Sequence, residues 1–137
     1  MARQHNPSAH LLLIAVGAAG LVAAASPALA ADTAKEIATA AQHADLAATA
    51  ADLKMTKTHL HHTINCLVGP GGAFYFANEL NPCQDLGNGA IPETTDVAKK
   101  KSLEGALNKA KSGLAVHDPA AAKALASEAE ALIKSAM

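Results

Sequence analysis

From Thr33 to Leu67 the chain contains neither glycine nor proline, and alanine recurs throughout. Nothing in that stretch removes a helical hydrogen bond, and alanine has the highest helix propensity of any residue. The run predicts one continuous helix, roughly 50 Å long at 1.5 Å per residue. Leu46, Leu53, Leu60 and Leu67 return every seven residues with Ile64 beside them, a heptad-like seam for packing on neighbouring helices. Asp32 or Thr33 stands where an N-cap is needed.

The helix stops at "VGPGG", 68–72, where Pro70 and three glycines exclude a further turn. A long loop follows over 68–93, in which Asn81 caps a short turn that has Pro82 at its first position. A second helix is expected from Asp96 to Val116, with Leu103, Leu107, Ala110 and Leu114 as its apolar stripe. "HDP", 117–119, ends it and starts a third, with Asp118 as N-cap and Pro119 at the first helical position. That third helix has Ala122, Leu125, Ala129, Leu132, Ile133 and Ala136 on one face and Lys123, Ser127, Glu130 and Lys134 on the other. The expected fold is all-α: an up-down bundle of three or four helices with a disulfide-tethered, glycine-rich loop at one end. The first helix is much longer than its partners. It must overhang, pairing with a second subunit to form a homodimer, or it must bend.

Residues 1–30 read as a secretory signal peptide. Arg3 and His5 precede the apolar run Leu11–Ala25, Pro27 interrupts it, and Ala28 and Ala30 flank Leu29 as an A-x-A cleavage site. The apolar run falls short of the roughly 20 residues of a membrane-spanning helix, which is the competing reading. Cleavage leaves 31–137 as a single helical domain, periplasmic or secreted, with no membrane attachment of its own. The 11 basic residues include Arg3, so 10 lysines then face 12 acidic residues, a net charge of −2. No arginine remains, which argues against nucleic acid as a partner.

Cys66 and Cys83 are the chain's two cysteines. In an exported protein they are expected to pair, and closing a loop of this length contributes about 3 kcal/mol. The alternative is a Cys66 thiolate acting as a soft metal ligand.

"HLHHTINC", 59–66, is the densest concentration of chemistry in the chain. On one helix, Met55, His59, His62 and Cys66 fall within about 60° of each other, nearly opposite the leucine seam. His59 and His62, three residues apart, present two imidazoles on one face. His61 points elsewhere and aligns with His43, while His43 and His117 would meet if the second helix ran antiparallel to the first. Neutral imidazole suits copper, zinc or nickel, and a thioether or thiolate would favour Cu(I). Met55 and Cys66 lie about 16 Å apart along the axis, so one ion cannot take the whole stripe. The expected nucleus is His59 with His62, completed by Met55, by His61, or by a residue of the loop or of another helix.

Phe74, Tyr75 and Phe76 are the chain's aromatic residues, expected either to plug the end of the bundle or to contact a protein partner. Asp85, Asn88 and Glu93 lack the alternating oxygen spacing of a calcium loop. There is no C-x-x-C-H for haem attachment and no set of nucleophile, base and orienting residue, so an enzyme is not expected.

Alanine-rich helices carrying histidines behind an export signal resemble the small periplasmic metal-binding helical proteins of bacteria. Those proteins spread histidines along every helix, whereas this chain concentrates them at 59–62 and adds a cysteine-bracketed loop. The resemblance implies an exported carrier or buffer of a metal ion with one or two defined sites. The alternative is a non-catalytic interaction module that presents "GPGGAFYF" to a protein partner.

Overall fold

The computed structural model describes residues 31–137; the signal-peptide reading of 1–30 lies outside the described residues. These form five helices and, among the described residues, no strand: α1 (Thr33–Thr49), α2 (Leu53–Val68), α3 (Ala90–Glu93), α4 (Val97–Ala115) and α5 (Pro119–Lys134). No helix among them is long and apolar enough to cross a membrane.

The single helix expected over 33–67 is instead two. Ala50 leaves helical geometry with ψ 151°, and Asp52 begins again as an N-cap whose side chain accepts from the Met55 N–H. The Asp52 carbonyl accepts both the amide and the hydroxyl of Thr56, each at 3.0 Å. On the other side of the corner, the Thr49 hydroxyl donates back to the Asp45 carbonyl at 2.9 Å. Helix propensity is a weak preference, whereas folding back buries an entire alanine face. Ala40, Ala44 and Ala47 of α1 are fully buried, as are Leu60 and Leu67 of α2. The seven-residue leucine repeat therefore does not form one seam, since Leu46 lies on the far side of the corner and is exposed.

The C-terminal half follows its caps. Asp96 accepts from Lys99 N–H and opens α4, while Asp118 accepts from Ala121 N–H and opens α5, with Pro119 in its first turn. α4 lies against α5 and α2, and α5 also covers α1. Ala106, Ala110, Ala122, Ala126 and Ala129 join Leu103 and Ile133 in the core. Such small side chains let helices approach closely but remove modest apolar area per residue, so covalent and polar staples matter more.

Three of these staples hold the long loop. Cys66 and Cys83 form a disulfide, with both residues buried. Asn65, fully buried, accepts from the Phe76 N–H at 2.9 Å and donates to the carbonyls of Phe76 (3.1 Å) and Leu80 (3.2 Å). Glu36 of α1 accepts from the Gly89 N–H at 2.9 Å. Gly69 and Gly89 meet where the loop closes on itself, at φ 68° and 115°. A Cβ on Gly69 would sit 1.7 Å from the Asn88 carbonyl oxygen.

Candidate metal centre

The α1–α2 corner decides which histidines meet. His43 and His59 each lie eight residues from Ala51, at the middle of the connection, so folding back places them side by side. Their Nδ1 atoms are 3.2 Å apart. His62, one turn beyond His59, brings its ring centroid to 5.0 Å from His43 and 5.5 Å from His59, edge-on to both. One nitrogen from each of His43, His59 and His62 lies within 4.8 Å of the others.

That spacing suits an ion. With nitrogen ligands at 2.0–2.1 Å, the edges of a tetrahedral site are about 3.3 Å long. The His43–His59 Nδ1 pair already has this spacing, and the group as a whole, which spans up to 4.8 Å, would draw in by as much as about 1.5 Å around an ion. The metal-free alternative is a hydrogen bond in which one Nδ1–H donates to the lone pair of the other.

The electrostatics favour the neutral form of His43 and His62. Burial, reinforced by the neighbouring His62 and His59, pushes His43 down to about 4. His62 is also held below the usual histidine value, first by burial and then by His59, with Glu79 opposing. Neutral imidazoles keep the lone pairs that coordination requires. The Glu79 carboxylate lies 3.7 Å from His62 Nε2, outside the three-histidine group. His62 Nδ1 is buried without a hydrogen-bond partner.

The structure thus groups His59 and His62 with His43 rather than with His61 or Met55. His61 leaves the other side of α2 and stacks on Phe76, with ring centroids 4.3 Å apart. Met55 is exposed, one turn before His59. Cys66 is held in the disulfide and offers no thiolate. His117, expected to approach His43, is exposed at the α4–α5 corner and outside the cluster. In the loop, Tyr75 packs on the core, Phe76 covers His61, and the exposed Phe74 ring carries the Lys111 ammonium 3.5 Å from its centroid. His43 is the ligand candidate that helix-wheel reasoning misses. Its signal is the symmetry of positions 43 and 59 about a corner capped by Asp52. No protein-family model, curated protein or solved structure matches the chain.

Proposed function

We propose that this chain is an exported, non-catalytic carrier or buffer of a transition-metal ion, bound by His43, His59 and His62. The observation that carries the proposal is the convergence of three imidazole nitrogens, from two helices, within 4.8 Å. The donors are all nitrogen, because the disulfide removes Cys66 and Met55 lies out on the surface. Such a set suits divalent zinc, copper or nickel and gives no particular preference for Cu(I). Three ligands leave a coordination position open to water or to a donor from another molecule, as transfer of the ion would need. His43 and His59 are half-buried, which leaves the site a route to solvent. We read the four long helices as an up-down bundle, and the resemblance to small periplasmic metal-binding helical proteins agrees with this use.

Native mass spectrometry and calorimetric titration of the protein with Zn2+, Cu2+ and Ni2+ test the proposal. One ion per chain is expected, abolished in a variant with all three histidines replaced by alanine. Failure of the wild-type protein to take up any of the three ions would end the metal reading. A second reading, a partner-binding loop, is favoured by the exposure of Phe74 (58%) and Leu80 (64%). It predicts that replacing these two residues, and not the histidines, removes the protein's function.

A further inference from the structure

Resting on the metal reading of the same three histidines, we propose that Glu79 is a positioning residue for the centre. It keeps the proton of His62 on Nε2, so that the ion is held by three Nδ1 atoms. The two nitrogens of His62 have different surroundings. Nε2 faces the Glu79 carboxylate at 3.7 Å, a small side-chain movement short of a hydrogen bond. Nδ1 is buried and has no partner at all. An imidazole with a carboxylate on one side places its proton there and its lone pair on the other nitrogen. In His62 that lone pair belongs to Nδ1, and the His43 and His59 nitrogens already paired at 3.2 Å are also Nδ1. A carboxylate behind a ligating imidazole is the outer-shell arrangement that fixes ring orientation and raises ligand basicity.

The rest of the loop places this carboxylate. Glu79 stands between Phe76 and Leu80, whose backbones are both held by the buried Asn65 side chain. The next staple is Cys83, tied to Cys66. Asn65 and Cys66 follow His62 by three and four residues on the same helix. The tethered loop thus returns a carboxylate to the helix turn that presents the ligand, and the disulfide serves the site without touching the ion.

The test is long-range 15N–1H NMR of the histidine rings, without metal and with Zn2+, in wild type, Glu79→Ala and Glu79→Gln. Metal-free wild type should have His62 protonated at Nε2. Glu79→Ala should mix the two tautomers, and Glu79→Gln, whose amide oxygen still accepts a hydrogen bond, should restore the wild-type form. On adding Zn2+, the coordination shift should appear at Nδ1 of His43, His59 and His62. Zinc affinity should fall about 10–100-fold in Glu79→Ala, with no comparable change in thermal unfolding of the metal-free protein. Protonation of His62 at Nδ1, a zinc shift at its Nε2, or unchanged affinity in Glu79→Ala would overturn the assignment while leaving the metal site standing. A wild-type protein that takes no zinc, copper or nickel would instead remove the site itself.

Discussion

The Nδ1 atoms of His43 and His59 lie 3.2 Å apart although sixteen residues separate them in sequence. On one continuous helix the same residues would be about 24 Å apart. The centre is therefore a product of the α1–α2 corner, and an ion bridging the two helices favours the folded hairpin over any opened form. On the proposed metal reading, binding and folding would be linked, and each should be measurable through the other.

His43→Ala should damage metal binding as severely as His59→Ala, although His43 lies outside the "HLHH" cluster. Loss of a direct ligand should exceed the roughly 10–100-fold penalty of losing an outer-shell partner. Zn2+ at about 100 times its dissociation constant should stabilise the wild-type protein by about 2.7 kcal/mol, and His43→Ala should lose that gain at the same zinc concentration. Titration calorimetry and thermal unfolding check both effects, with Met55→Leu and His117→Ala as controls that retain binding. Full affinity in His43→Ala would refute the three-histidine centre.

The local signals in the sequence carried the elements that depend on local chemistry. Asp96 opens α4, Asp118 with Pro119 opens α5, and Cys66 joins Cys83, all as their residue types predict. The corner at 50–52 was not legible, because an aspartate inside an alanine-rich run reads equally well as a solvated helix position. Only burial of α1 against α2 and α5 gives Asp52 its role as a cap. Without the corner, His43 cannot be paired with His59; the helix wheel pairs only His59 with His62 and already sets His61 apart. Asn65 and Glu36 were hidden for the same reason. Each reads as one more polar helix residue, yet both are fully buried and hold the loop.

Replacing both cysteines by alanine should lower stability by about 3 kcal/mol, the loop-closure contribution, and so lower Tm by roughly 10–20 °C for a domain of this size. Because both residues are buried, a reductant should act slowly on the folded protein and quickly on protein unfolded in denaturant. Thiol labelling followed over time distinguishes the two cases. Rapid labelling of the native protein under mild reductant would contradict the buried position of the bond.

Gly69→Ala and Gly89→Ala should each destabilise by more than about 2 kcal/mol. At Gly89, φ is 115° and a Cβ would lie 2.4 Å from the Val68 carbonyl carbon; at Gly69 the obstacle is the Asn88 carbonyl. These obstacles are backbone atoms and cannot rotate away. Gly71, beside which a Cβ would meet nothing within 4 Å, should tolerate alanine with little change. Urea denaturation of the three variants provides the comparison, and equal midpoints would contradict the close crossing of 69 and 89.

Glu36 should make the metal-free protein lose stability relative to a Glu36→Gln variant as pH rises from 6.5 to 8. Its side chain is fully buried, with Oε1 on the Gly89 N–H and Oε2 unpartnered, and Glu93 Oε2 is likewise buried without a partner. Gly87 touches both groups, since a Cβ there would sit 2.4 Å from Glu93 Oε2 and 2.9 Å from Glu36 Oε1. Burial pushes the Glu36 carboxyl up to about 7; Glu93 and Asp32 add to the effect and the Gly89 N–H opposes it. The folded protein therefore keeps a proton that the unfolded chain releases near 4.5. This contribution is complete below that pH and disappears as pH rises through about 7. His43 and His62 act in the opposite direction: both titrate lower in the folded state, so their contribution is complete only well above 6.5 and is lost on acidification. Near 6.5 the unfolded histidines are still half protonated, so their contributions keep growing to about 7.5 and oppose the Glu36 loss. The Glu36 part, on the order of 1 kcal/mol between 6.5 and 8, is read from the difference between wild type and Glu36→Gln. Glu36→Gln keeps the acceptor for Gly89 and removes the titration, so its stability should rise over the same interval with the histidines alone, while wild type should not. Denaturant unfolding at several pH values in the presence of a chelator measures both proteins. An identical slope in the two would place the titrating group elsewhere.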